Sequence, residues 1–89
     1  MFRVRWEDSA LVELATLWLQ ASPSLRPNIT AAFRRINQRL QTDPVGQSES
    51  RPGGRRVLFE APLGVLFRIE PDGQTVSVLR VWLFRPPTP

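Results

Sequence analysis

The apolar residues change their spacing partway along this chain, and that change limits the fold more than any other feature. Between Asp8 and Gln41 they recur every three to four positions, the spacing of a helix face; from Arg55 onward they alternate or run together, as in strands. Before both regions, Phe2, Val4 and Trp6 alternate with Arg3 and Arg5, which reads as a half-buried strand. A chain so built must set helices against a sheet, because each helix stripe needs an apolar surface to cover it.

Asp8 or Ser9 is placed to cap the first helix, a side-chain oxygen accepting from a backbone N–H that has no helical partner. Leu11, Leu14, Ala15 and Trp18 form its stripe, with Leu17 and Leu19 widening it, so Trp18 is expected in the core. Ser22-Pro23-Ser24 ends that helix, since proline lacks a donor and disfavours the helical conformation just before it. A second helix is expected from about Pro27 to Gln41, with Ile29, Phe33, Ile36 and Leu40 on one face and Arg34, Arg35 and Arg39 elsewhere. The two form a helical hairpin. Asp43 to Gly54 is rich in Asp, Pro, Gly and Ser and reads as a long loop.

Strands are then expected at Arg55–Ala61, Leu63–Glu70 and Thr75–Phe84, the last two joined by a Pro71-Asp72-Gly73 turn. The fold class is α+β: a helical hairpin on a small antiparallel sheet, in the order β-α-α-β-β-β. One domain is expected over residues 1–85, with a Pro-rich tail at 86–89. On strict alternation, Val76, Val78, Arg80, Trp82 and Phe84 share one face of the last strand and Ser77, Leu79, Val81 and Leu83 the other. Both faces are largely apolar, so the pattern does not say which one the helices cover.

The 89 residues contain no Cys, His, Tyr or Lys. Disulfides, thiolate chemistry, zinc-type ligand sets and the usual general base are therefore excluded, and no cofactor is expected. All 12 basic residues are Arg, against 8 acidic ones, for a net charge of +4. Arginine usage of this kind fits a GC-rich genome as well as selection for planar, bidentate anion recognition. The charge points to an acidic partner: nucleic acid, the ribosome or an acidic protein. No signal peptide or membrane-spanning run is seen, so a cytoplasmic protein with no membrane partner is expected.

The candidate binding residues follow from this frame. Arg80 lies among apolar neighbours on the last strand, where it either pairs with Glu60 or Glu70 or aims at a phosphate or acidic partner. Arg55 and Arg56 open a strand on opposite faces, so at most one lines any given cleft. Arg68 lies mid-strand between Phe67 and Ile69 and is equally open to a cross-strand ion pair. Among Trp6, Trp18 and Trp82, only Trp82 is kept as a base-stacking candidate.

The stretch Phe2-Arg3-Val4-Arg5-Trp6-Glu7-Asp8-Ser9-Ala10 with Leu14-Ala15 resembles the first strand and helix start of RelE/ParE-type toxins. So do Arg56 ahead of Glu60-Ala61-Pro62-Leu63, Leu66-Phe67-Arg68-Ile69, and the hairpin into Val76–Val81. The resemblance covers nearly the whole chain. It implies the toxin of a type II toxin–antitoxin system, with a cognate antitoxin whose extended segment wraps it, as a homodimer or toxin–antitoxin hetero-oligomer. RelE-like members cleave mRNA on the ribosome through basic residues of the open sheet face; ParE-like members, including plasmid stabilisation proteins, poison DNA gyrase. Val78-Leu79-Arg80-Val81 looks closer to the ParE pattern, in which His-Gly-Arg commonly follows. Here Trp82-Leu83-Phe84-Arg85 takes its place, so only Arg80 and Arg85 carry over. Without Lys, His or Tyr, RNA cleavage would have to use Arg, Asp or Glu, and Arg is a poor proton shuttle. A module that keeps the fold for other interactions, without toxicity, is the third reading.

Overall fold

A computed structural model describes residues 1–84; Arg85 and the Pro-rich tail lie outside the described residues. The elements run β1 (Arg3–Trp6), α1 (Asp8–Gln20), α2 (Arg26–Thr42), β2 (Glu49–Arg51), β3 (Arg55–Glu60), β4 (Leu63–Ile69) and β5 (Thr75–Leu83). The sheet order is β1-β5-β4-β3-β2. All neighbours pair antiparallel except β1, which joins β5 parallel, so the sheet is mixed. The expected long loop contains a strand: β2 pairs with β3 through Glu49↔Val57 and Arg51↔Arg55. Polar Glu-Ser-Arg at an exposed edge carries no apolar alternation, which is why its sequence reads as loop. Gly53 and Gly54, both at positive φ, make the tight return to β3.

One face of the sheet carries both helices. Ile29, Ala32, Ile36 and Leu40 of α2 and Ala10 of α1 pack on Leu58, Leu63, Val65, Phe67, Val76, Val78 and Val81. Each fully buried Leu, Ile, Val or Phe side chain stabilises the fold by about 1.5–3 kcal/mol relative to exposure. The α2 face is the expected one, with Ala32 added. The α1 stripe is rotated: Ala10, Leu14, Leu17 and Ala21 face the core, while Leu11 and Trp18 stand 45% and 39% exposed. Trp18 is therefore not a core residue.

Its ring carries the Arg26 guanidinium 4.4 Å from the centroid, and that guanidinium donates to the Trp18 and Leu19 carbonyls at 2.9 and 3.0 Å. Arg26 thus caps the end of α1, pairing the Leu19 carbonyl and adding a second donor to the Trp18 carbonyl, which also accepts the Ala21 N–H at 3.3 Å. At the other end of α1 the cap position is Glu7, and neither Asp8 nor Ser9 provides a side-chain cap. Asp8 lies in the first turn, where its charge complements the helix dipole.

The register of β4 and β5 slips at one point. Leu66 faces Arg80, but the next residue, Phe67, faces Val78, so Leu79 is left without a partner. This bulge reverses the alternation. Val76 and Val78 point to the helices before it and Val81 after it, while Arg80 and Trp82 pair with Leu66 and Gly64 on the opposite face. The strict-alternation reading, which grouped Arg80 and Trp82 with Val76 and Val78, is thereby corrected. Without the bulge Arg80 would enter the core, where an unpaired charge is costly.

Candidate functional site

The face without helices is laid out by the register. One row crosses all five strands: Arg5 on β1, Ser77 on β5, Arg68 on β4, Arg55 on β3 and Arg51 on β2. The row beyond the bulge holds Arg80, Leu66, Val57 and Glu49. Past it lie Trp82, Gly64 and Phe59. Strand period sends the arginines outward because Val4, Trp6, Phe67 and Leu58 beside them turn toward the helices.

Most of these cations have a carboxylate nearby. Arg68 Nε meets Glu70 at 2.7 Å, Arg51 meets Glu49 at 3.0 Å, and Arg5 meets Glu7 at a loose 3.5 Å. Arg80 Nε meets Glu13 of α1 at 3.0 Å, not Glu60 or Glu70; its side chain remains 65% exposed. Where β1 ends, α1 runs beside the freed edge of β5, and Glu13 also accepts the Val81 N–H at 3.3 Å. Arg55 makes no ion pair among the described residues. Glu60 points to the helix side and holds Arg35 and Arg39 of α2, each at 2.8 Å.

Arg56 lies on the opposite face from Arg55. Its guanidinium donates to Ser48 Oγ at 2.6 Å and to the Ser48 carbonyl at 3.1 Å, tying β3 to the segment before β2. The structure thus brings Arg55, Arg68, Arg80 and Trp82 to one face and leaves Arg56 off it; Arg85 lies outside the described residues. Trp82 belongs to an aromatic cluster. Phe59 meets it edge-on with centroids 6.3 Å apart, and Phe84 lies 4.8 Å from Phe59. Gly64 is the reason the indole fits, since a Cβ there would come within 2.7 Å of the ring. Trp6 is on the helix side, its Nε1 donating to Asn37 Oδ1 at 2.9 Å and its ring tilted on Phe33.

Two carboxyls near this face are held below their ordinary range. For Glu70 the main cause is the hydrogen bond from Arg68, followed by the nearby Ser77 hydroxyl. For Asp72, in the β4–β5 turn, the backbone N–H of Gln74 leads, then the Thr75 hydroxyl and the Thr75 N–H. Among the described residues no group of three or more acidic side chains is placed to hold a metal.

Arg5, Ser77 and Arg51 were not among the expected site residues. The outward position of Arg5 follows from its alternation with Val4 and Trp6. Ser77 is the only hydroxyl between Val76 and Val81, but its face depended on the bulge. Arg51 was hidden in the segment read as loop.

A second surface lies between the helices. Leu11, Leu14, Ala15, Trp18, Ile29 and Phe33 line an open apolar groove of about 390 Å³. Among the described residues, no helix is long and apolar enough to cross a membrane.

No family model and no curated protein sequence matches the chain. Solved structures do. It is similar to a chain of the toxin–antitoxin complex RelBE2 from Mycobacterium tuberculosis, at 25% identity and a TM-score of 0.71, covering 94% of this chain and 98% of that one. The chromosomal ParDE toxin–antitoxin system from P. aeruginosa matches at 19% identity and a TM-score of 0.71, covering 96% and 98%. The isolated E. coli RelE toxin matches at 11% and 0.62, covering 98% and 88%. The arrangement of this chain, a helical hairpin on one face of a five-stranded mixed sheet, matches their fold over nearly its whole length. The fold of this chain is thus the RelE/ParE toxin fold.

Proposed function

We propose that this protein is the toxin of a type II toxin–antitoxin system and acts by binding its target through the arginine-bearing sheet face. The observation that carries this reading is the row of Arg5, Arg68, Arg55 and Arg51 across the face that the helices leave bare, with the Trp82–Phe59 cluster on the same face beyond Arg80. Guanidiniums recognise phosphate and carboxylate in bidentate fashion, and an exposed aromatic offers a stacking surface. The target is the translation machinery or DNA gyrase. Binding is favoured over RNA cleavage because the face offers no neutral base: its cations are arginines, and Glu70 and Glu49 are engaged with Arg68 and Arg51.

The partner is a cognate antitoxin. The groove lined by Leu11, Trp18 and Phe33 suits an apolar stripe of that partner, and the net charge of +4 suits an acidic one. A second reading, a non-toxic interaction module, draws support from the glutamates that already pair Arg68, Arg51 and Arg80.

Induced expression in a bacterial host, without antitoxin, separates the two. Growth arrest by the wild type, relieved by Arg55→Ala or Arg80→Ala at matched soluble protein, is the expected result. Whether DNA-damage signalling or protein synthesis responds first then identifies the target. Normal growth with abundant folded wild-type protein would favour the interaction module.

A further inference from the structure

Of the eight large apolar side chains exposed among the described residues, four lie on α1: Leu11, Val12, Trp18 and Leu19. Val12 and Leu19 are the most exposed of them, at 65% and 67%. Such a concentration on one helix marks a surface that another body covers. At about 3.6 residues per turn, the exposed Ala15 stands at the middle of this outer face. Leu11 and Trp18 lie to one side of it, Val12 and Leu19 to the other.

The charges sort in the same way. α1 contains no Arg, so its outer face is free of the positive charge that the rest of the chain carries. Its carboxylates are Asp8 and Glu13, and Glu13 is turned to Arg80. Asp8 lies at the N-terminal end, and Arg26 is held at the C-terminal end by the Trp18 ring. Neither makes an ion pair among the described residues. One end of the face is therefore negative and the other positive, the pattern that favours a copy of itself laid antiparallel, with opposed helix dipoles.

We propose that α1 is the interface of a two-fold dimer, in which the occupant is α1 of a second copy of this chain running antiparallel across Ala15. In such a contact each side of the face meets the same side of its partner. Leu11 packs on Trp18 of the second copy and Val12 on Leu19. Ala15 meets its own counterpart on the axis, where the small side chain lets the helices approach closely. Asp8 comes beside Arg26 of the second copy. Leu11 and Trp18 border the groove between the helices, so the second copy's indole covers its mouth. The arginine-bearing sheet face stays uncovered. This pairing is that of the protein with no other chain bound, and it goes beyond the toxin reading without resting on it.

Sedimentation over a range of concentrations tests it, comparing wild type with Ala15→Glu, Ala15→Arg and Val45→Glu. The wild type is expected to show a reversible monomer–dimer equilibrium. Residue 15 faces itself across the axis, so either charge there meets a like charge and weakens dimerisation by at least about tenfold. An equimolar mixture of Ala15→Glu and Ala15→Arg should recover the dimer, because the two charges are then opposite. Val45→Glu, on an exposed apolar residue outside α1, should leave the equilibrium unchanged. Circular dichroism confirms that each variant is folded.

The chain has no cysteine, which supplies a second readout if a charged variant fails to fold. Oxidised Ala15→Cys should form a covalent dimer, since a disulfide needs Cα atoms about 4.4–6.8 Å apart, and Gln20→Cys on a different side of α1 should not. A wild type that is monomeric at every concentration would overturn the proposal and leave the face to a different chain. So would a dimer that persists in folded Ala15→Glu, charge variants that do not recombine, or equal crosslinking at residues 15 and 20. Growth arrest does not enter these readouts, so the dimer and the toxin reading stand or fall separately.

Discussion

Glu13 on α1 and Arg80 on β5, 67 residues apart in the chain, are joined by a carboxylate–guanidinium contact of 3.0 Å. The same carboxylate accepts the Val81 N–H, so it takes the place of a strand partner where β1 stops. Two consequences follow from one side chain: the open edge of β5 is closed, and Arg80 is steered along the edge of the bare face.

Replacing Glu13 by Ala leaves the Val81 N–H without its acceptor and frees Arg80. A loss of about 1 kcal/mol in unfolding free energy is expected, the net worth of such a bond, with little contribution from the exposed ion pair. Urea denaturation measures it. Arg80→Ala should cost less, because it leaves the Glu13–Val81 bond intact; equal losses would mean that the ion pair dominates.

Gly64→Ala places a Cβ about where the Trp82 ring lies, within 2.7 Å of its nearest atoms. Such overpacking costs roughly 1–3 kcal/mol. The expected result is a lower melting temperature and a shifted tryptophan emission. In a Trp82→Ala background the same substitution should cost much less, and a cost that does not change would show that the ring is not the obstacle.

Glu60 is shared by Arg35 and Arg39. Removing either arginine alone is expected to change stability by less than about 0.5 kcal/mol, because the other still pairs the carboxylate and both cations are substantially exposed. Removing both should exceed the sum of the singles, a coupling that a double-mutant cycle reads directly. Strict additivity would contradict the shared clamp.

Acid should weaken the β4–β5 turn. Asp72 and Glu70 sit below their ordinary values of 3.8 and 4.5 in the folded chain. Their contribution is therefore present above those values and is lost as pH falls through the lowered ones. Melting temperature is expected to fall as pH drops below those ordinary values, and Asp72→Ala should flatten that fall. An unchanged slope in Asp72→Ala would mean that the turn carboxylate is not part of it.

The fold was largely legible because its signals are periodic. The α2 face at Ile29, Phe33, Ile36 and Leu40 and the alternation of Val4 and Trp6 with arginines need no tertiary context. Three features escaped for physical reasons. Trp18 lies on an apolar stripe, but a stripe does not distinguish the sheet side from the groove side, and its ring instead stacks with Arg26. β2 is a polar edge strand defined only by its pairing to β3. The bulge at Leu79 lies where both faces of β5 are apolar, so alternation could not reveal that Arg80 and Trp82 change sides. The bare-face site depends on that bulge and on β2, which is why Ser77 and Arg51 emerge only from the register.

The central claim, that the bare sheet face engages the target, is tested most directly by comparing two charge-matched triple variants for growth arrest on induction. One removes Arg5, Arg55 and Arg68 from the bare face; the other removes Arg34, Arg35 and Arg39 from α2. Both lose three positive charges, so any difference between them belongs to the face and not to net charge. Loss of arrest in the bare-face variant only, with both proteins folded and equally abundant, is the predicted result. Arrest that survives in the bare-face variant and is lost in the helix variant would contradict the account.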